Sequence, residues 1–184
     1  MLSDNELYAS YQSGAGEAYD ELVVRYSDSL TAYLYGYLHN WQDAEDLMIE
    51  AFARIMVKKP LIRTDGFRAY LFRTARNLAA RFHGSGSASG QFGFEGAEDE
   101  LPDPVTPEEL FCSSERNRTL HLCLNRIEPE LREVLWLVYF DGMSYKDAAV
   151  VMKVTVKRIE RLLTRGKAQL RSELEKEGIT NAHE

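Results

Sequence analysis

The sequence predicts an all-α protein with two small helical domains joined by a flexible linker, the C-terminal domain containing a helix-turn-helix. Apolar residues recur at three- and four-residue spacing in both halves of the 184 residues, without the alternation typical of β-strands. A stretch rich in Gly, Ser, Pro and acidic residues separates the two halves. We therefore predict an N-terminal domain over residues 1–83, a linker over 84–112 and a second domain over 113–184.

The composition is typical of a soluble globular protein, with 45% hydrophobic and 28% charged residues. No apolar run approaches the roughly 18 residues that cross a bilayer, and the N-terminus lacks a basic region followed by an apolar one. We therefore expect a cytoplasmic protein without membrane insertion. Cys112 and Cys123 fit a reducing compartment, and with His121 they lack a fourth ligand and a common zinc spacing. We predict no metal and no cofactor.

Four helices are predicted in the first domain. Ser3 and Glu6 form a capping-box pattern for a short helix that should end near Gly14–Gly16. The apolar positions of a long second helix are Ala18, Leu22, Tyr26, Leu30, Leu34 and Tyr37. Those of the third are Ala44, Leu47, Met48, Ala51, Phe52 and Ile55, and those of the fourth, near residues 67–82, are Phe67, Leu71, Ala75, Leu78 and Phe82.

Charged residues lie on the opposite faces of the third and fourth helices. Asp43, Asp46 and Glu50 share one side of the third helix at i, i+3 and i+7 spacing. The fourth helix should turn Arg73, Arg76 and Asn77 outward. A loop bounded by Pro and Gly connects the two helices and carries Lys58, Lys59 and Arg63.

The second domain begins with a helix that presents Leu120, Leu124 and Ile127 on one side. Pro129 should start the next helix, whose apolar positions are Leu131, Val134, Leu135 and Val138, and Asp141-Gly142 should end it. Ser144 and Asp147 form a capping box for a third helix, and Thr155 can cap a fourth. The apolar face of the third helix consists of Tyr145, Ala148, Ala149 and Met152, and that of the fourth of Ile159, Leu162, Leu163, Gly166 and Leu170.

The outward face of that last helix is strongly basic. Lys157, Arg161, Thr164 and Arg165 lie opposite its apolar side, with Arg158 at the edge. A capped helix followed by a helix with a basic outer face is typical of a helix-turn-helix in a DNA major groove. A solvated surface helix is the alternative.

The distribution of charge favours DNA contact. The chain has a formal net charge of −7, but residues 54–83 carry eight Lys/Arg and one acid, and residues 153–171 carry seven Lys/Arg and one acid. Acidic segments alternate with these two blocks. The chain can therefore offer DNA two separate surfaces and offer a basic protein partner others.

Three segments together resemble bacterial extracytoplasmic-function sigma factors. These are DAEDLMIEAF (43–52), FRAYLFRTARN (67–77) and, after the linker, LNRIEPELREVLWLVYFDGMSYKDAAVVM with the basic helix behind it. The resemblance covers nearly the whole chain outside the linker.

The resemblance implies a protein that directs core RNA polymerase to promoter DNA and has no chemistry of its own. It implies that Asp43, Asp46 and Glu50 contact the clamp helices of the polymerase. It further implies that the basic and polar residues between 58 and 77 hold the opened minus-ten element, and that the last basic helix reads the minus-thirty-five element. The candidates are Lys58, Lys59, Arg63, Arg73, Arg76 and Asn77 for the first element, and Lys157, Arg158, Arg161 and Arg165 for the second. The family also implies a linker in the polymerase channels and an anti-sigma factor as partner.

Some positions depart from the family pattern. Ile49 stands where Gln usually follows the DAEDL box, and Arg81 stands where an acid is common. Glu160 and Leu162 replace a Lys and an Arg expected in the recognition helix. We therefore expect an atypical promoter sequence.

Two other classes of function are considered. A stand-alone helix-turn-helix regulator, with an N-terminal dimerisation or sensing domain, would bind duplex DNA without polymerase. An enzyme is disfavoured because the sequence contains no nucleophile–base pair, phosphate-binding loop or metal cluster.

Overall fold

The N-terminal half folds into four helices, as predicted. The computed structural model describes residues 2–62, 66–84 and 115–179, and no strand occurs within these ranges. The helices are α1 (Asp4–Gln12), α2 (Gly16–Leu38), α3 (Trp41–Lys58) and α4 (Phe67–Gly84). The linker predicted over 84–112 lies almost entirely outside the described residues.

Local capping accounts for where these helices begin and end. The Ser3 hydroxyl accepts a hydrogen bond from Glu6 N, and the Glu6 carboxylate accepts one from Ser3 N at 2.8 Å, so the predicted capping box is confirmed. Asn40 caps α3 by accepting from Asp43 N at 3.1 Å. α2 and α3 both end at a non-glycine residue with left-handed backbone, His39 at φ 52° and Lys59 at φ 42°.

The apolar faces predicted for these helices form the core, with one error. Leu22, Leu30 and Leu34 of α2 are fully buried, and α2 packs against α1, α3 and α4. Every predicted apolar position of α3 is buried except Met48, which packs at the edge of the core. The prediction for Phe82 is wrong: this ring is 41% exposed because it lies in the last turn of α4, beyond the other helices' cover.

The C-terminal half consists of α5 (Glu115–Asn125), α6 (Pro129–Leu135), a π-helical turn (Trp136–Phe140), α7 (Tyr145–Met152) and α8 (Val156–Lys176). Pro129 occupies the first turn of α6, as predicted. Ser144 and Thr155 cap α7 and α8 by accepting from Asp147 N at 3.1 Å and Arg158 N at 3.2 Å. α7 and α8 therefore form the predicted helix-turn-helix, whose connecting turn begins at the left-handed Lys153.

α6 and α8 pack at close range in this half. The apolar residues predicted for α8 face inward, and Gly166 is at the point of closest approach, where an added Cβ would lie 3.2 Å from the Leu135 side chain. Tyr145 is an exception to the predicted α7 face, since it is 40% exposed, while Ala148, Ala149 and Met152 are buried. Ile127 is buried but follows the end of α5.

The two halves contact each other through α4 and α7. Their buried apolar residues form one continuous cluster. None of the helices in the described ranges is both long enough and apolar enough to span a membrane. Cys123 is buried as a free thiol, Cys112 and the side chain of His121 lie outside the described residues, and the described side chains contain no group of three metal ligands.

Candidate nucleic-acid interface

The outer face of α8 is an exposed basic surface. All four basic residues predicted to bind DNA there are exposed: Lys157, Arg158, Arg161 and Arg165. Together with Thr155 and Leu162 they line an open groove of about 430 Å³. The Thr155 cap fixes the start of α8, so these side chains project from its first three turns. In this geometry the N-terminal turns of a recognition helix can reach base edges.

The four cations differ in their present partners. Arg158 Nη2 lies 2.8 Å from Glu130 Oε1, and Arg165 Nη2 lies 3.0 Å from Glu128 Oε1. Among the described residues Lys157 and Arg161 form no ion pair. Exposed ion pairs are worth about 0–1 kcal/mol, so a phosphate can replace Glu128 or Glu130 at small cost.

Leu162 and Glu160, the two departures in this helix, have different surroundings. Leu162 is 3% exposed and therefore packs into the domain core. Glu160 is exposed on the same side as the basic residues. A carboxylate here can accept from cytosine N4 but repels phosphates, so Glu160 restricts what this face can bind.

The second basic surface includes the end of α3 and one side of α4. Lys58 is exposed, and Lys59 Nζ lies 4.8 Å from the centre of the Tyr11 ring. The Arg73 guanidinium lies 5.2 Å from the Tyr70 ring, which holds it along the helix surface. Arg63 lies outside the described residues.

Arg76 and Asn77, which were predicted to turn outward from α4, are half-buried, and each contacts the C-terminal half. Arg76 Nε donates to Glu133 Oε1 at 2.7 Å and its Nη2 donates to Glu133 Oε2 at 3.2 Å. Lys153 Nζ donates to Asn77 Oδ1 at 2.6 Å. Both partners belong to the C-terminal half, and the sequence gives no local signal of this contact because 57 residues separate Arg76 from Glu133.

The environment of Arg76 stabilises its charge. Burial by itself would lower the pKa of Arg76, but the hydrogen bond and the negative charge of Glu133 outweigh burial and raise it. Tyr33 and Tyr37 donate to the same Glu133 oxygen at 2.7 and 2.6 Å. Burial and then the charge of Glu133 raise the pKa of both hydroxyls well above the ordinary value, so both keep their protons and act as donors.

A second pair between the halves was also not predicted. Arg68 of α4 donates to the main-chain oxygen of Asp141, and its Nη2 lies 4.0 Å from Asp141 Oδ1. Burial raises the pKa of Asp141 to about 7, although the charge of Arg68 opposes this shift. Asp141 was identified only as a helix stop, since a sequence pattern does not show burial by a distant segment.

The acidic row on α3 forms a separate surface. Asp46 and Glu50 are exposed, and Asp43 is half-buried at the start of the helix. Glu50 pairs with Arg54 of the same helix at 2.6 Å. Ile49 is 59% exposed beside this row, and Met56, seven residues later on the same side of the helix as Ile49, is 43% exposed. The surface thus combines carboxylates with uncovered apolar groups, a combination that suits a protein partner with basic residues.

Both halves match known protein families. Residues 22–87 match the family model for Sigma-70 region 2, and residues 117–170 match that for Sigma-70 region 4. The chain is 29% identical over 163 residues to the RNA polymerase sigma-H factor of Pseudomonas aeruginosa, covering 83% of this chain and 84% of that protein. It is 28% identical over 179 residues to the ECF RNA polymerase sigma factor SigE of Mycolicibacterium smegmatis, covering 95% of this chain and 68% of that one.

Solved structures show the same fold. CnrH, solved in complex with the cytosolic domain of CnrY, superposes with a TM-score of 0.65 at 24% identity and covers 94% of this chain and 97% of that one. The sigma factor RpoE of Bartonella quintana, solved with the anti-sigma factor NepR, gives a TM-score of 0.58 at 18% identity, with coverage of 85% and 96%.

The region 2 match also decides between the two DNA-binding hypotheses. A stand-alone regulator would have a dimerisation or sensing domain in the N-terminal half, whereas this half matches a sigma-factor domain. The match to region 4 covers residues 117–170, which include α7 and most of α8. The chain is therefore an extracytoplasmic-function sigma factor, a protein that directs RNA polymerase to specific promoters for transcription initiation.

Proposed function

We propose that this sigma factor uses three separate surfaces for its three contacts. The acidic row of α3 (Asp43, Asp46 and Glu50) docks on basic residues of core polymerase. The basic surface of α4 and its preceding loop holds the opened minus-ten strand. The basic face of α8 reads the minus-thirty-five duplex. The observation that carries this proposal is the exposed cationic groove of α8 in a chain whose net charge is −7.

The duplex reader uses two kinds of contact. Lys157, Arg158 and Arg161 lie in the first turns of α8 and are positioned for base edges, whereas Arg165 lies farther along the helix and suits a phosphate. Because Arg161 has no ion pair among the described residues, it can bind a guanine without first giving up an acidic partner.

Strand capture needs cations along the backbone and a surface against which unstacked bases can lie. Lys58 and Lys59 supply exposed charge and Arg73 is half-buried, with Arg63, Arg76 and Asn77 as the remaining candidates. Leu61 is 92% exposed in the preceding loop and can provide apolar contact with a base.

The sigma-70 matches and the charged surfaces support a DNA-binding initiation factor that performs no catalysis and works in the cytoplasm, where its polymerase and promoter are found. They also support control by a protein inhibitor, as in the complex of the RpoE relative with NepR. The domain division at 1–83, 84–112 and 113–184 belongs to the same proposal.

In vitro transcription tests this function. Bacterial core polymerase is incubated with fragmented genomic DNA, with and without the chain, and the 5′ ends of the transcripts are sequenced. We expect a set of new start sites that share two upstream elements and require the protein. Tight binding to a symmetric duplex site without polymerase, and no new start sites, would support the stand-alone regulator instead.

A further inference from the structure

Glu133 is the centre of the contact between the two halves. Its residue exposure is 3%, and it accepts four hydrogen bonds: two from Arg76, one from Tyr33 and one from Tyr37. All four donors belong to the N-terminal half, whereas Glu133 itself is on α6 of the C-terminal half. The Glu133 carboxylate therefore has these four hydrogen bonds only while the two halves are in contact.

The energetics of a buried carboxylate make this contact two-state. A buried ionised group that loses its partners carries a penalty of several kcal/mol, which water removes once the group is exposed. Glu133 is thus stable either against Arg76 and the two tyrosines or in solvent after the halves separate. Intermediate arrangements leave both Glu133 and Arg76 poorly solvated.

The same contact occupies residues proposed to hold the opened strand. The guanidinium of Arg76 faces both oxygens of Glu133, the arrangement that a phosphate would otherwise take. The amide of Asn77 accepts from Lys153, the residue that begins the turn between α7 and α8. While these contacts persist, Nε and Nη2 of Arg76 and the amide oxygen of Asn77 are occupied by protein partners.

We propose that Glu133 is an autoinhibitory latch that closes the C-terminal half over the strand-binding side of α4. The carboxylate substitutes for the nucleic-acid phosphate on Arg76, and the Lys153–Asn77 and Arg68–Asp141 contacts reinforce the closed arrangement. Docking on polymerase separates the halves and frees Arg76 and Asn77. This inference rests on the proposed function only for what the freed residues bind; the latch itself is a property of the isolated chain.

Small-angle X-ray scattering of the full chain tests the latch without polymerase or DNA. Glu133→Arg places two cations face to face and should open the molecule, raising the radius of gyration by roughly 5 Å, as expected when two domains of this size move apart. The reciprocal swap, Glu133→Arg with Arg76→Glu, restores an ion pair and should return the radius to the wild-type value.

Glu173→Arg is the matched control. Glu173 pairs with Arg126 at 3.8 Å and Lys176 at 2.5 Å, all within the C-terminal half, so the same charge change should leave the chain compact. If Glu133→Arg fails to fold by far-UV circular dichroism, Tyr33→Phe with Tyr37→Phe decides instead. This double variant keeps both rings, removes two of the four hydrogen bonds to Glu133, and should also expand the chain.

Binding of a fluorescein-labelled, random-sequence single-stranded 20-mer provides a second readout. Glu133→Arg should bind it at least tenfold more tightly than Glu173→Arg, which has the same net charge. A wild type already as extended as Glu133→Arg, or a folded Glu133→Arg as compact as wild type, overturns the latch. Expansion with no transcription by any variant upholds the latch and refutes the proposed function, so the two can fail separately.

Discussion

Individual residues show how far local sequence determines this protein's surfaces. The exposure of Lys157, Arg158, Arg161 and Arg165 follows from helical periodicity, because the opposite side of α8 is apolar and must be buried. The same rule explains Leu162: it lies on the apolar side of α8, so a leucine there adds to the core.

Arg161 is the residue of this groove most directly available to a base. Replacing it by alanine should cost roughly 1–3 kcal/mol of promoter binding and relax the sequence preference at one position of the upstream element. Arg165→Ala, a phosphate contact in our proposal, should weaken binding similarly at all promoters. The measurement is transcription from a library randomised in the upstream element; identical sequence profiles for wild type and Arg161→Ala would refute the assignment.

At the scale of elements, caps and periodicity predicted most of the structure. Ser3, Ser144 and Thr155 each accept a hydrogen bond from the backbone three residues later, as the sequence indicates. The π-helical turn at Trp136–Phe140 was not predicted. Its residues, WLVYF, are of the same types as those of an ordinary apolar α-helix, so the sequence contains no signal for it. Phe82 and Tyr145 were misplaced because periodicity assigns a side of a helix but not what covers it.

The α3 helix should act as a unit in polymerase binding. Reversing Asp46 and Glu50 to Lys should abolish association with core polymerase while changing the free energy of unfolding by only about 0–1 kcal/mol per position, since both side chains are exposed. Asp20→Lys with Asp28→Lys on α2 is the control of equal charge change at exposed positions. Co-purification with polymerase is measured, and unchanged recovery of the α3 variant would exclude this surface.

At the scale of the whole molecule, the contacts between the two halves could not be predicted from the sequence. Arg76–Glu133, Arg68–Asp141 and Asn77–Lys153 join segments 57, 73 and 76 residues apart. Their chemistry is ordinary, and each residue looks like an exposed charge or cap in its own segment. These residues become partners only because the two helical halves pack together. The sequence therefore predicted the charged surfaces, but not that residues of one half cover residues of the other.

This packing predicts a pH dependence of stability. An unfolded aspartate loses its proton near pH 3.8, whereas burial holds the pKa of Asp141 at about 7 in the folded chain. Between these values the folded state binds the extra proton, so stability falls as pH rises and levels off above pH 7.

Asp141→Asn should remove this slope, because the amide resembles the protonated acid. Relative to wild type the variant should gain on the order of 3 kcal/mol between pH 5 and pH 8, since one pKa unit corresponds to about 1.4 kcal/mol. Urea denaturation at the two pH values measures it, with Asp28→Asn as an exposed control. An equal wild-type and Asp141→Asn response to pH would contradict the burial of this carboxylate.

The π-helical turn has a consequence for the direction in which α7 and α8 point. Asp141 N bonds to Trp136 O, five residues earlier, so this turn accommodates one residue more than a regular helix would over the same rise. Each residue of an α-helix contributes about 100° of rotation. Removal of a single residue here would therefore rotate the helix-turn-helix (α7 and α8) about the axis of α6. The distance between the two promoter elements that the protein can contact together would change as a result.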